Sequence, residues 1–218
     1  MPVQDFMSKD LITVDEDASI IKASKLMKQN QVRHLPVLRK GRLLGIVSDL
    51  ELKEATPSKA TTLDIHEMYY LLDRIKVKSL MPKQLFTIAP GETVEKAAAV
   101  MLNRNISALP VVDHQGALQG IITKGDIFRA FVSISGINQA PLAMGFELED
   151  QPGSVKAVAD LIQAHGGRIA SILSSYGEGP ESFLRVYIRA RGVQDEEALR
   201  KDLEGKNRIL YFIHEKLD

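Results

Sequence analysis

Residues Ser107–Ile127 read SALPVVDHQGALQGIITKGDI. Two short apolar runs, Leu109–Val112 and Leu118–Ile122, flank a turn carrying Asp113, His114 and Gly116. Alternation, β-branched side chains and a glycine in the turn predict a β-hairpin. The second strand ends in Thr123-Lys124-Gly125-Asp126, and Ile127, Phe128 and Phe131 follow at helical spacing. A hydroxyl and a carboxylate therefore stand where a strand feeds a helix N-terminus. Unpaired N–H groups and the positive end of the helix dipole favour an anion there. The Thr can offer a hydroxyl to a phosphate, and the Asp can accept both hydroxyls of a ribose. Both residue types are also ordinary helix caps, so the motif alone carries little weight.

The chain says the same thing twice. Residues Arg33–Leu52 read RHLPVLRKGRLLGIVSDLEL, with Pro36 matching Pro110, Gly45 matching Gly120 and Ser48 matching Thr123. Upstream, Met7 matches Met81, Thr13 Thr87, Ala23 Ala97 and Met27 Met101, each pair 74 residues apart. Gly45 and Gly120 stand 75 apart, so one residue is inserted at the hairpin turn. Self-similarity at a fixed spacing predicts two like units packed on each other. Each is an extended piece, an amphipathic helix, a hairpin and a second helix.

This doubled pattern resembles a pair of CBS domains (cystathionine β-synthase-type modules), which together form a Bateman module. The resemblance implies an α/β (α+β) fold of two βαββα repeats and an adenosine-containing ligand in a cleft between them. It implies that a Ser/Thr-x-x-Asp element holds ribose and phosphate, a role Thr123 and Asp126 match fully. Around them the expected nucleotide-binding residues are Lys124, Thr87, Ile88, Ala108, Leu109 and Pro110, with the base in an apolar slot near Thr87, Ile88, Ala108 and Leu109. The first copy departs, because Ser48-Asp49-Leu50-Glu51 puts Glu where the family has Asp. The longer side chain makes it the weaker of two sites, with Ser48, Glu51, Thr13, Val14, Arg33 and His34 around it. The basic pair Arg33 and His34 precedes Leu35-Pro36, where either can reach a phosphate across the cleft or simply end a solvated strand.

Composition sets the bounds. The chain has 218 residues and 44% apolar content, enough for two domains. Lys plus Arg and Asp plus Glu both number 28, which argues against bulk nucleic acid or an anionic membrane as partner. With no cysteine, disulfides, thiolate catalysis and Cys-based metal sites are excluded. The opening MPVQDFMSKD lacks an apolar core of signal-peptide length, and the expected location is cytoplasmic. His66, His165 and His214 lie far apart, so no metal site is expected. The recurrent Met7, Met27, Met81 and Met101 read as core filling.

In chain order, residues 1–60 form the first repeat and 77–134 the second. Between them a polar break, Pro57–Thr62, leads to a connector (61–76) with a helix over Asp64–Ile75 whose Ile65, Met68, Tyr69 and Leu72 align. Ser135–Pro141 has linker composition. From Leu142 to the end the pattern changes. Leu142, Met144, Phe146 and Leu148 alternate as a strand, and Val155, Val158, Ala159 and Ile162 mark a helix ended by Gly166-Gly167. Strands over Ile169–Ser174 and Leu184–Ile188 flank a Gly177–Pro180 turn; a helix capped by Asp195 and a strand at Ile209–Ile213 follow. The order β-α-β-β-α-β predicts a ferredoxin-like sheet with two helices on one face. Arg185, Tyr187, Arg189 and Arg191 share the other face.

That order, with Asp150-Gln151-Pro152-Gly153 at the first strand-to-helix turn, resembles an ACT domain (142–218). The resemblance implies an amino-acid site at Asp150, Pro152, Gly153 and Ser154. A departure is His165-Gly166-Gly167-Arg168-Ile169, which carries Arg168 where the family often has Asn. A CBS pair followed by an ACT domain is similar to the bacterial acetoin-utilisation proteins of that build. The expected function is that of a non-enzymatic sensor binding AMP, ADP or ATP, pairing as a homodimer and acting on a regulated enzyme. Connector helix and linker are its expected movable parts. No Ser–His–acid order, paired catalytic carboxylates or P-loop is present, so no catalytic cofactor is expected. The alternative is a structural or partner-docking protein with no ligand in either module.

Overall fold

The computed structural model describes residues 1–56, 64–176 and 183–215, with the side chains of 65–68 left out. The expected break at Pro57–Thr62, the turn at Gly177–Pro180 and the alignment of Ile65 and Met68 lie outside the described residues. The chain divides into two compact units, Met1–Phe128 and Arg129–Asp218. The division falls inside a helix, ahead of the stretch with linker composition.

In the first unit both repeats build the same elements. Strand β1 (Val14–Asp15) runs parallel to β2 (His34–Arg39), which pairs antiparallel with β3 (Arg42–Ser48). Helix α1 (Ile20–Asn30) lies between β1 and β2 in the chain, and α2 (Asp49–Glu54) follows β3. After the connector helix α3 (Ile65–Arg74) come α4 (Val94–Arg104) and the hairpin of β4 (Ala108–Val112) and β5 (Leu118–Thr123). Helix α5 (Lys124–Ser135) then crosses the division between units. The counterpart of β1 is one parallel bridge, Ile88 to Val111. Helices α1 and α4 each start on a hydroxyl cap, Ser19 accepting from Lys22 N and Thr93 from Lys96 N. Each ends on a left-handed residue, Gln31 at φ 55° and Asn105 at φ 51°. Ile20, Ala23 and Met27 of α1 are buried, as are Val94, Ala97 and Met101 of α4. On α3, Leu72 is buried while Tyr69, expected on the same face, is exposed.

The repeats exchange their lead-in segments. Val3 N donates to Glu92 O, Gln4 N to Pro90 O, and Val94 N to Met1 O, at 2.8, 3.0 and 2.8 Å. The mirrored set is Val77 N to Ala18 O, Lys78 N to Glu16 O and Ile20 N to Ile75 O, at 2.9, 3.1 and 3.1 Å. The side chains repeat the exchange. A Cβ added at Gly45 would stand 2.5 Å from Met81 Sδ, and one at Gly120 would stand 2.5 Å from Met7 Sδ. Glycine is required at both positions because the other repeat's methionine fills the space of a side chain.

The second unit holds β6 (Leu142–Glu149), α6 (Ser154–Ala164), β7 (Arg168–Tyr176), β8 (Phe183–Arg191), α7 (Glu196–Glu204) and β9 (Arg208–His214). Its antiparallel sheet runs β7-β8-β6-β9, the strand order of a ferredoxin-like fold. Val158 and Ile162 of α6 and Leu199 and Leu203 of α7 pack on Met144, Phe146, Val186 and Ile188. On the other face, Arg185 and Arg208 pair with Glu147, and Arg189 pairs with Glu215. Of the arginines on that face, Arg189 thus has its own acid, and Arg185 shares Glu147 with Arg208. Residues 135–141, of linker composition, are tied down within this unit. Ser171 Oγ donates to Ser135 O at 2.6 Å, Ala140 is buried, and Glu215 N donates to Pro141 O at 2.8 Å.

The two glycines differ in what an added methyl group meets. Gly45 faces only the flexible end of Met81, whereas Gly120 also faces the backbone Ser8 O at 2.9 Å. Gly120→Ala is expected to cost about 1–3 kcal/mol and Gly45→Ala less, since a side chain can swing away and a carbonyl cannot. Urea unfolding of the two variants checks the order, and equal losses would contradict it.

Candidate functional site: the paired strand exits

Each hairpin ends at a helix start, and both exits close on the same arrangement. At the second, Thr123 N and Thr123 Oγ1 both donate to Asp126 Oδ2 at 2.7 Å, and Asp126 N donates to Thr123 Oγ1 at 3.4 Å. At the first, Ser48 N donates to Glu51 Oε2 at 2.7 Å, Ser48 Oγ donates to the same oxygen, and Leu50 N donates to Ser48 Oγ at 3.2 Å. Both are capping boxes, with hydroxyl and acid serving each other across one turn. Asp126 is 2% exposed, while Glu51 is only half-buried. A buried carboxylate depends on the hydrogen bonds it accepts.

Backbone pairing sets the surroundings of the second exit. Ala108 lies opposite Thr123, Leu109 opposite Ile122 and Pro110 opposite Ile121. Ile88 N donates to Pro110 O and Val112 N to Ile88 O, which draws the 87–88 segment alongside. Ile88, Ala108, Leu109 and Pro110 are buried, and Thr87 and Lys124 are exposed. Leu109 is fully enclosed, opposite an equally enclosed Ile122, so its side chain belongs to the core. In the first copy Val14 is buried, Thr13 half-buried and Arg33 exposed.

One side chain joins the two exits. His34 sits opposite Ser48 in the first hairpin, and its Nε2 lies 2.7 Å from Ser107 Oγ of the second repeat. Ser107 O in turn accepts from Lys124 N, the residue after Thr123. His34 reaches across the repeats to a hydroxyl that sequence reading passed over. Ser107 stands where Arg33 stands in the other copy, and only the doubled register points to it. Burial pushes the His34 imidazole below its ordinary value, Asp49 and Glu51 oppose the shift, and Arg33 adds to it. A second unforeseen contact is the fork of Arg39 on the buried Glu16, at 2.5 and 2.6 Å.

In the second unit, Pro152, Gly153 and Ser154 line a hollow of about 1010 Å³ at the start of α6, together with Lys206 and Arg208. Asp150 is exposed and stands outside that lining. Gly153, at φ 96°, begins α6 without a side-chain cap. Among the described residues no group of three or more His, Cys, Asp or Glu could hold a metal, and no helix is long and apolar enough to cross a membrane.

A duplicated βαββα unit with exchanged lead-ins and paired strand exits defines a two-repeat module. The CBS domain model matches residues 3–58 and 77–133, and the chain belongs to that family. A homoserine O-acetyltransferase of Methanosalsum zhilinae is 36% identical over 126 residues, 57% of this chain, and the chain spans 23% of that enzyme's length. Three solved structures share the fold. A CBS domain pair in complex with 5′-methylthioadenosine and S-adenosyl-L-methionine is 28% identical with a TM-score of 0.51, covering 61% of this chain and 96% of that one. CBSX2, a CBS-pair protein of Arabidopsis thaliana, solved in complex with AMP, is 32% identical with a TM-score of 0.50, covering 61% and 97%. An acetoin utilization protein of Vibrio cholerae is 26% identical with a TM-score of 0.52, covering 64% and 96%.

The His34 shift gives stability a direction with pH. Its folded value lies below the unfolded 6.5, so between the two the unfolded chain binds the extra proton and stability falls as pH falls. Above 6.5 the full contribution is present. Melting temperatures of the parent and His34→Asn between about pH 5 and 7 test this, with a flatter profile expected for the variant. Parallel profiles would show that another group sets the slope.

Proposed function

We propose that this protein is a non-enzymatic regulator whose CBS pair binds an adenosine-containing nucleotide, AMP, ADP or ATP, at the second strand exit. Asp126 accepts from the ribose hydroxyls, Thr123 and the start of α5 meet the phosphate, and Lys124 lies on the exposed side. Thr87, Ile88, Ala108 and Pro110 receive the base, with Leu109 as packed support. The observation that carries this reading is the buried Asp126 bonded to Thr123, at a site duplicated by symmetry, in a family whose relatives are solved with AMP and with S-adenosylmethionine. The first exit, with Ser48, Glu51, Thr13, Val14, Arg33 and His34, is the weaker site, since Glu51 is a methylene longer. A nucleotide favouring one arrangement of the repeats shifts the population toward it by its differential affinity. The regulated state is a homodimer acting on a partner enzyme in the cytoplasm.

The second unit adds an ACT-like module, supported by its strand order and by the hollow at Pro152, Gly153 and Ser154. An amino acid there would set its carboxylate against the uncapped start of α6.

Calorimetry with AMP, ADP, ATP and S-adenosylmethionine tests the nucleotide site, alongside mass analysis of ligand retained through purification. Asp126→Asn keeps an oxygen for the Thr123 N–H while removing the charge. It is expected to weaken binding by about 1.5–3 kcal/mol, as for hydrogen bonds to a charged group. Equal affinity for 2′,3′-dideoxyribonucleotides would falsify the ribose role. Absence of heat with all four ligands would favour a docking protein instead.

A further inference from the structure

The open face of the second unit's sheet carries a hollow of about 490 Å³ that the nucleotide reading leaves unused. Its floor follows from one glycine. Gly145 on β6 is paired with Tyr187 of β8 on one side and Tyr211 of β9 on the other. With no Cβ in the way, the Tyr211 ring lies over Gly145, three ring carbons falling 2.5–3.0 Å from where that Cβ would stand. The two phenol rings are nearly parallel, 15° apart, with centroids 6.4 Å from each other. Leu173 stands beside Tyr187 on β7, and Phe131 and Ile137 close the hollow from the end of α5 and the turn after it.

This site is built from fixed parts. Gly136, at φ 73°, is pressed against Ser171, whose hydroxyl is committed to Ser135 O. The one charged lining group, Arg189, is held by Glu215 and also donates to Ala140 O at 3.3 Å. The lining therefore presents no unbalanced charge. Tyr211 and Phe131 nonetheless stay 37% and 56% exposed, so the hollow leaves aromatic surface in water. Ligand pockets run from about 300 to 1,000 Å³ and are mostly apolar with a few directed polar groups. Aromatic faces add stacking to the burial of area, and stacking is selective for a flat partner.

We propose that this hollow is a binding site for a small, uncharged, planar aromatic molecule of one or two rings, stacked on Tyr211 and Tyr187. The site lies wholly within the second unit and is independent of the strand exits.

Indole is the probe, and because the chain has no tryptophan its emission can be followed without overlap from the protein's own indole groups. Titration of the full chain is expected to give a saturable blue shift that excess AMP leaves unchanged. Tyr211→Leu and Leu173→Glu are each expected to weaken binding about fivefold or more, and the exposed Phe131→Ala about threefold. Circular dichroism checks that each variant folds, and Phe131→Ala serves where the strand variants do not. Thr123→Ala, in the other unit, is expected to bind indole as the parent does. A non-saturable signal, displacement by AMP, or equal affinity in the folded hollow variants would overturn the site. So would absence of binding together with a changed sedimentation coefficient for Phe131→Ala, which would assign the hollow to protein contact.

Discussion

The first unit depends on a reciprocal loan of backbone between its halves. Each repeat's lead-in donates to and accepts from the other repeat, through bonds related by a 74-residue shift. Backbone N–H and C=O groups must be paired wherever water is excluded, so these six bonds fix where each lead-in lies. The methionine that follows then fills the place of a missing side chain on the partner strand. From that point β3 and β5 have only a few residues to run before their exits. The geometry of Ser48 and Thr123 is thus inherited from contacts made by the opposite repeat.

At those exits one constellation caps a helix and, in the proposed function, receives a nucleotide. The acid three residues past the hydroxyl closes a capping box, which starts the helix and satisfies donors that would otherwise be orphaned. The same hydroxyl, acid and helix start are what a ribose phosphate requires. In the proposed nucleotide site, capping and binding would not be rivals, because a cap holds the groups in place before a ligand arrives, and preorganisation lowers the cost of binding. The difference between the copies then lies in reach. Both acids fold back on the hydroxyl residue, Asp126 short and enclosed, Glu51 a methylene longer and half-buried.

Much of the fold was legible because the chain repeats itself. Matching Met7 with Met81 and Gly45 with Gly120 set the register, and alternation marked the strands of the second unit. The hydroxyl and acid at each exit stood out once the two copies were set in register. What escaped reading depended on distance in the chain. Ser107, 73 residues from His34, becomes its partner only once the two hairpins are placed together. The Tyr187–Gly145–Tyr211 row needs the registers of three strands. Ser135–Pro141 looks like a linker by composition, yet Ser171 and Glu215, far along the chain, hold it down. Arg189 was legible only as one of a row on the open face; its partner Glu215 lies beyond the last strand, 26 residues away.

The traded lead-ins also bear on descent. A chain carrying one half of the first unit could make the same six bonds only by meeting a twin, as in a domain-swapped dimer. Joining two such halves through one connector turns that encounter into an intramolecular event, at an effective concentration no dilution can lower. Once tethered, the halves are free to diverge. The two exits already differ, with Glu51 at one and Asp126 at the other.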